Sequence, residues 1–344
     1  MTRSNNKQRA VWLFIISAMI VGMIVLGGLV RLTGSGLSIT EWDLITGVVP
    51  PITEAGWEAA FAEYRDSPQY RQVNFDMTMG EYRFIYYMEY LHRLLGRVVG
   101  ALYALPVFYM LFTRRLAWRD AWPYVWIGLG FAFQGWLGWY MVQSGLVDRP
   151  AVSHFRLTAH LLSAMALLGL TFWVALDNLH GPAGGGGEKS LRVIGIAALV
   201  VFALQTTYGG LMAGLKAGHV SNTWPMMFGT WIPAGMLSAL EGIFENLLSN
   251  PTTVHFIHRW LAWLLVGLVI WLWLALRRRA AREGLQKTGN WLLAFLVVQI
   301  ALGVSVVLFN VPAVLASLHQ ATAIGIFLAL LVFLHRLGGS TPRL

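Results

Sequence analysis

Four histidines and one glutamate form the pattern in this chain that says most about its chemistry. The phrase Glu89-Tyr90-Leu91-His92-Arg93 is echoed later by His258-Arg259, and His160 and His319 also lie inside apolar runs. Ionisable side chains are costly in lipid and usually face a protein interior, so these residues indicate a functional site. The imidazoles could bind a metal ion, and Glu89 could orient a ligand, relay protons or hold a substrate.

The composition is that of a membrane protein. Of 344 residues, 57% are hydrophobic and only 12% are charged, and the mean hydropathy is +0.60. Soluble domains carry about 25% charged residues. The absence of cysteine excludes disulfides, thiolate metal ligands and iron–sulfur clusters built by this chain. The net charge of +9 does not predict nucleic-acid binding, because the basic residues cluster between the apolar runs.

Eight apolar runs are long enough to cross a bilayer, which requires about 20 residues. We therefore predict an all-α membrane protein with eight transmembrane helices. The runs cover residues 11–30, 84–112, 121–142, 152–176, 193–215, 252–276, 291–311 and 313–333. The basic segment before the first run lacks a small-residue cleavage site, so this run is predicted to be a helix and not a removed signal.

The distribution of positive charge predicts the orientation. Fifteen lysines and arginines lie at the termini and in the loops on the same side, against seven in the loops of the other side. Because the richer side of a membrane protein faces the cytoplasm, both termini are predicted to be cytoplasmic. In a bacterium, this places the chain in the inner membrane.

Two loops divide the chain. The long outer loop 31–83 contains an amphipathic stretch at 54–64, for which a helix on the membrane surface and a solvated loop are both open. The glycine-rich segment 181–190 is predicted to be a flexible cytoplasmic linker. It separates an N-terminal half, 1–180, from a C-terminal half, 191–344.

The two halves resemble each other. The matches are Gly27-Gly28-Leu29 with Gly209-Gly210-Leu211, His92-Arg93 with His258-Arg259, Gln134 and Gly138 with Gln299 and Gly303, and His160 with His319, at offsets of 182, 166, 165 and 159 residues. The offset falls steadily, so the length differences lie in loops. An even number of helices in each half gives both halves the same orientation. We predict two four-helix bundles related as a parallel repeat.

The four histidines are predicted to be metal ligands. His92, His160, His258 and His319 each lie six to eight residues inside an apolar run that enters from the outer side. This spacing places all four imidazoles roughly 9–12 Å from the outer helix ends. Two facing imidazoles in a four-helix bundle suit the axial ligation of haem iron, whereas zinc would require additional ligands. Hydrogen-bonded core histidines are the simpler alternative.

The neighbouring charged residues have two interpretations each. Glu89 lies three residues before His92 on the same helix face and could take part in catalysis or form a salt bridge to Arg93. Its counterpart in the second half is His255, so the halves are not equivalent. Arg93, Arg97 and Arg259 could bind haem propionates, or they could snorkel or pair helices.

Phrases along nearly the whole chain closely resemble haem A synthase. They are Leu32-Thr33-Gly34-Ser35-Gly36-Leu37-Ser38, Trp42, Pro50-Pro51, Asn74-Phe75-Asp76-Met77-Thr78, Met88-Glu89-Tyr90-Leu91-His92-Arg93, Arg156-Leu157-Thr158-Ala159-His160-Leu161, His258-Arg259 and His319-Gln320. The absence of cysteine resembles the mitochondrial and proteobacterial branch of that family, in contrast to a branch with a cysteine pair in the outer loops.

The resemblance implies a reaction and a division of labour. His92 and His160 match the family's histidine pair for the substrate, haem O, and Glu89 matches an acidic residue implicated in catalysis, so these three form the implied catalytic set. His258 and His319 match the pair that looks like the haem b site. The implied reaction oxidises the C8 methyl group of haem O to the formyl group of haem A through successive hydroxylations, using oxygen and external electrons.

The implied partners are membrane lipid, a haem O synthase, an external electron donor and the assembly of cytochrome oxidase, with the haem sites toward the periplasm. Association into a homo-oligomer stays open. Two other functions also stay open: a di-haem electron-transfer protein of the cytochrome b kind and a transporter. Both are compatible with a parallel repeat and histidines in the outer leaflet.

Overall fold

The structure, a computed structural model, describes residues 3–42, 46–147, 149–184, 188–279 and 281–338. In these ranges the chain forms α-helices, two short 3-10 helices (46–48 and 217–219) and no β-strand, which confirms the all-α fold class. The helices are α1 (Arg3–Leu32), α2 (Glu54–Arg65), α3 (Pro68–Gln72), α4 (Met79–Phe112), α5 (Trp118–Leu146), α6 (His154–His180), α7 (Lys189–Leu215), α8 (Ile243–Ser249), α9 (Pro251–Arg278), α10 (Glu283–Leu308) and α11 (Ala313–Gly338). Residues 185–187 of the predicted linker, and Arg343 of the predicted cytoplasmic charges, lie outside the described residues.

Seven of these helices are long and apolar enough to cross a bilayer, so the chain is an integral membrane protein. They are α1, α4, α6, α7, α9, α10 and α11. The eighth predicted span is present as α5, a helix of 29 residues, but it is not in this set. Tryptophan, tyrosine, glycine and glutamine are frequent in α5, and they lower its hydropathy.

Most helices extend beyond the predicted apolar runs, by up to eight residues at the starts of α1 and α10, and three ends that differ are described here. Helix α4 begins at Met79 and not at 84, because Thr78 and Glu81 form a capping box at its start. Helix α6 begins at 154 and not at 152. Helix α10 ends at 308 and not at 311, because Asn310 and Val311 adopt φ of 60° and 62°, a left-handed conformation that cannot continue a helix.

The long outer loop is folded against α4. Thr53 caps α2, which buries Trp57 and Phe61 together with Tyr82 and other residues of the α4 start. The rings of Phe61 and Tyr82 stack with centroids 4.8 Å apart. The predicted amphipathic helix is therefore confirmed, but its apolar face packs on protein, so neither the solvated loop nor the helix with this face on lipid is correct.

Tyr64, a buried tyrosine of α2, links this helix to α3 and to the segment after α3. The Tyr64 hydroxyl donates to Gln69 Oε1 at 3.0 Å and accepts from Asn74 Nδ2 at 2.7 Å. Gln69 in turn donates to the carbonyl of Gly34 at 2.9 Å. Burial raises the pKa of Tyr64 above its ordinary value, which keeps the phenol protonated and able to donate.

The chain divides into two packing units. The first comprises Met1–Ser17 and Leu168–Leu344, and the second comprises Ala18–Leu167. In the first unit α7 packs against α9 and α11, and α10 packs against the same two helices, so the four close into a bundle. Close approach depends on glycine: a Cβ on Gly289 would lie 2.8 Å from Leu276.

In the second unit, α4 packs against α5, and the outer helices α2 and α3 pack beside them. The segment after α1 is held on α5 by a similar small-residue contact. A Cβ on Gly145 would lie 2.7 Å from Leu37 Cδ1, so Leu37 fills the space that a larger residue on α5 would occupy. This contact fixes the start of the segment that reaches Glu89.

Candidate functional site

The second unit contains one of the predicted histidine pairs. His92 of α4 and His160 of α6 lie within electrostatic range of each other. The Nδ1 atoms of both rings are buried and have no hydrogen-bond partner among the described residues. His160 is the seventh residue of its helix, as predicted, but His92 is the fourteenth of α4 because that helix begins early.

Each of these imidazoles rests on a glycine. A Cβ built on Gly27 of α1 would lie 3.0 Å from His92 Cε1, and one built on Gly138 of α5 would lie 3.4 Å from His160 Cε1. The missing side chains let the rings pack directly on the backbone of the neighbouring helix. Such contacts hold an imidazole in one orientation, as a metal ligand requires.

The first unit builds its histidine pair in the same way. His258 of α9 and His319 of α11 also lie within electrostatic range. A Cβ on Gly209 of α7 would lie 3.4 Å from His258 Cε1, and one on Gly303 of α10 would lie 2.9 Å from His319 Cε1. The residues that match between the sequence halves therefore make the same contacts in each half.

Glutamines distinguish the two pairs. The Gln205 amide nitrogen lies 3.2 and 3.3 Å from the two ring nitrogens of His258, and that of Gln299 lies 3.2 Å from His319 Nε2. The Oε1 atoms of both glutamines are buried without a partner in the described part of the chain. Gln134, the counterpart of Gln299, instead lies 2.5 Å from the Ser163 hydroxyl.

Glu89 is buried, with 3% of its surface exposed, and it is bound through both oxygens. Its Oε2 accepts from the Ser38 N–H and hydroxyl, both at 2.8 Å, and from the Ile39 N–H at 3.0 Å. Its Oε1 accepts from Arg93 Nε at 3.1 Å and Nη2 at 2.6 Å. The salt bridge that the sequence left as one interpretation is therefore present, while a catalytic role for Glu89 stays a prediction.

Arg93 and Arg259 directly follow the first histidine of each pair. Arg93 holds the segment that follows α1, and Arg259 holds the segment that follows α7. Arg93 donates to the carbonyls of Ile39 at 2.9 Å and Glu41 at 2.8 Å, and its Cζ lies 4.7 Å from the Trp42 ring centroid. Arg259 repeats this arrangement. It donates to the carbonyls of Ser221 at 3.3 Å and Thr223 at 2.8 Å, with Cζ 5.6 Å from the Trp224 ring.

The difference lies in the partner on the helix itself. Where Arg93 meets the carboxylate of Glu89, Arg259 donates through Nε to His255 Nε2 at 2.9 Å. Most N–H donors of Arg93 are thus used within the chain, and Arg259 also has several internal partners. Of the three arginines predicted to bind propionates, Arg93 and Arg97 both line a cavity of about 300 Å³, together with Ser38 and Tyr86.

The imidazole pairs fit a haem better than a structural metal ion. Within the described ranges, no group of three or more His, Asp or Glu side chains converges on a point where it could hold an ion. Two imidazoles that pack on glycine remain in each unit, which is a donor set that suits haem iron, and the Nδ1 atoms of His92, His160 and His319 are buried without a partner among the described residues. The residues therefore fit this group in both units.

Several residues of the site were not singled out as site residues from the sequence. Ser38 and Trp42 appeared only within phrases of the family resemblance, and the four glycines only as repeat markers. Gln205 carried no signal, because its counterpart at the same offset is Met23. A polar residue four positions before the glycine that contacts a histidine is too common to identify by type alone.

Comparison with known proteins agrees with this description. The family model for the cytochrome oxidase assembly protein matches residues 10–331. Among curated relatives, "Heme A synthase" of Nitrosospira multiformis is 42% identical over 335 residues, which cover 96% of this chain and 94% of the relative. The proteins of the same name from Flavobacterium johnsoniae and Parvibaculum lavamentivorans are 37% and 40% identical, covering 97% and 98% of this chain and 99% and 96% of the relatives.

Proposed function

Because this chain belongs to the cytochrome oxidase assembly protein family, we propose that it is a haem A synthase. It oxidises the C8 methyl group of haem O to the formyl group of haem A, for cytochrome oxidase biogenesis. The observation that carries this proposal is the pair of imidazole sites built alike on glycine, in a chain whose full-length relatives are named for this activity.

The C-terminal pair holds haem b as the resident cofactor. His258 and His319 would hold the haem iron, and the bound haem would supply a one-electron redox centre. The position of the glutamines beside these rings supports this assignment, because side chains that restrict the rotation of an imidazole suit a permanently bound group. Gln205 and Gln299 fix the two rings from α7 and α10.

The N-terminal pair holds haem O, the substrate. His92 and His160 bind and orient the porphyrin, and the reaction depends on Glu89 beside them. Within the described residues, no glutamine contacts His92 or His160. This suits a substrate that must bind and leave in each reaction cycle. Arg97, at the wall of the cavity, binds a propionate of the substrate, since a guanidinium pairs well with a carboxylate.

Eight spans form two parallel four-helix repeats, 1–180 and 191–344, joined by the segment 181–190. Helix α5 supplies the eighth span: Trp122, Trp126, Leu129, Phe133 and Trp136 form an exposed stripe at helical spacing, as a lipid-facing surface requires. Both termini lie in the cytoplasm of a bacterial cell, with the haem sites toward the periplasmic side of the inner membrane, and the excess of basic residues in the loops on the side of the termini supports this orientation. A haem O synthase delivers the substrate, and an external donor supplies electrons.

The test is analysis of pigments extracted after aerobic expression. Chromatography and mass spectrometry of the extracted porphyrins should find haem A, or its alcohol precursor, only in cells that contain both haem O and this chain. Two haems of the b type with no oxidised product would instead identify a di-haem electron-transfer protein, which the repeated imidazole geometry also fits. A protein without any porphyrin would favour a transporter.

A further inference from the structure

The hydrogen bonds of Glu89 occupy both of its carboxylate oxygens. Three donors reach Oε2 and two reach Oε1, all from residues of the same unit. A carboxylate that accepts five hydrogen bonds is fixed in place. This geometry is typical of a group that positions other parts of a protein.

The group that Glu89 positions is the segment 38–42. The backbone N–H groups of Ser38 and Ile39 donate to Glu89. The carbonyls of Ile39 and Glu41 accept from Arg93. Arg93 also meets Glu89 directly. The carboxylate, the guanidinium and the backbone of this segment therefore form one closed network.

The segment ends at Trp42, whose ring lies beside Gly138, the glycine that contacts His160. A Cβ on Gly138 would lie 3.4 Å from His160 Cε1 and 3.8 Å from Trp42 Cη2, so both rings abut the same glycine of α5. The Arg93 guanidinium lies over the indole, with Cζ 4.7 Å from the ring centroid. Trp42 thus lies where a flat ligand bound by His160 would meet a protein wall.

The C-terminal half lacks this complete network. Arg259 holds two carbonyls and lies over Trp224, but its helix partner is His255, which offers a single acceptor at 2.9 Å. The counterpart of Ser38 at the common offset is Val220, which has no hydroxyl group. The carboxylate and the serine are therefore particular to the N-terminal site.

We propose that Trp42 contacts the substrate porphyrin and sets its affinity, and that Glu89 is a positioning residue that acts on Trp42 through Arg93 and the segment 38–42. This inference rests on the proposed binding of haem O by His92 and His160. It assigns Ser38 the same task as Glu89, because the serine supplies two of the five hydrogen bonds.

The first experiment titrates haem O into purified full-length protein that carries haem b, without an electron donor, and follows the difference absorbance. Trp42→Leu should weaken haem O binding about tenfold, because the variant loses the aromatic surface against which the porphyrin packs. The matched variant Trp224→Leu should leave haem O affinity unchanged. Equal haem O affinity of the Trp42→Leu variant and the unchanged chain would overturn the role of Trp42.

The second experiment separates positioning from proton transfer at Glu89. Hydrogen–deuterium exchange of the 38–42 amides and haem O affinity are measured in Glu89→Gln, Ser38→Ala and Ser38→Thr. Positioning predicts faster exchange and weaker haem O binding in both Glu89→Gln and Ser38→Ala, with recovery in Ser38→Thr. Loss of turnover in Glu89→Gln with unchanged exchange and affinity would overturn it.

These outcomes are distinct from failure of the proposed function. A chain that binds haem O but yields no haem A or alcohol precursor in the pigment analysis contradicts the synthase proposal, whatever Trp42 does. A chain that makes haem A with unchanged haem O binding in Trp42→Leu contradicts only this inference.

Discussion

The two histidine sites share a framework and differ in what surrounds it. In both, imidazoles from two helices rest on glycines of two others, and an arginine holds the backbone of an adjoining segment. The C-terminal site adds glutamines that contact the rings, whereas the N-terminal site adds a buried carboxylate. In the proposed function one site retains a porphyrin and the other transforms one, and the difference between the sites then lies in the neighbours of the imidazoles and not in the imidazoles themselves.

The largest expected effect comes from removing the carboxylate that only the N-terminal site has. Glu89→Ala should lower haem A formation by about 100-fold or more, because the residues around the substrate lose their alignment. The haem b absorbance should stay, since His258 and His319 belong to the other unit. Porphyrin analysis and the reduced-minus-oxidised spectrum of the same sample measure both. Undiminished haem A formation would remove Glu89 from the account.

Replacement of Arg93 and of Arg259 by alanine compares the hydrogen-bond networks of the two arginines. Arg93→Ala strands a buried carboxylate and should destabilise the protein by about 3–5 kcal/mol. Arg259→Ala removes hydrogen bonds to a histidine and two carbonyls and should cost only about 1–3 kcal/mol. Thermal unfolding in detergent, followed by tryptophan fluorescence, measures the order. If the Arg259→Ala variant unfolds at a lower temperature than the Arg93→Ala variant, the network that includes the Glu89 carboxylate does not contribute the larger share of stability.

Glycine substitutions sharpen the comparison within the C-terminal site. A Cβ at Gly303 would approach His319 to 2.9 Å, whereas one at Gly209 would approach His258 to 3.4 Å. Gly303→Ala should therefore displace the imidazole and reduce bound haem b, with an overpacking cost of about 1–3 kcal/mol. Gly209→Ala should retain nearly all of it. The haem-to-protein ratio after purification distinguishes them, and equal ratios would argue against close packing of His319.

The smallest effect is expected at the glutamines. Gln205→Leu removes the amide beside His258 and should weaken haem b binding about two- to tenfold, as loss of one neutral hydrogen bond does. Gln134→Leu is the control, because that side chain contacts Ser163 and no imidazole nitrogen. Transfer of haem b to an apo-haem acceptor protein measures the affinity. A larger change in Gln134→Leu than in Gln205→Leu would contradict the assignment.

Much of this arrangement followed from the sequence because membranes simplify the problem. Long apolar runs in a membrane must form helices, because the backbone polar groups have no water to bind. The sequence also matched Gly27 with Gly209 and Gly138 with Gly303, and in the structure each of these glycines contacts one of the four histidines. The early start of α4 at Met79 was missed because a capping box, and not hydrophobicity, sets it. Hydropathy alone did not reveal that the outer loop folds on α4.

The network around Glu89 was beyond sequence reasoning for a physical reason. Two of its five hydrogen bonds come from backbone N–H groups, which every residue but proline possesses, so residue type does not mark them. Trp42 likewise reaches His160 only because a glycine of α5 leaves room for both rings. Such sites depend on three-dimensional packing of segments that are distant in the chain.

The most direct test of two distinct porphyrin sites is a count of haem b in paired histidine variants. Iron and porphyrin per chain are measured in purified protein with His92→Ala and His160→Ala together, and with His258→Ala and His319→Ala together. The first variant should keep about one haem b per chain and the second should keep none. Loss of haem b from both variants alike, or from the first alone, would contradict the assignment of a resident and a substrate site.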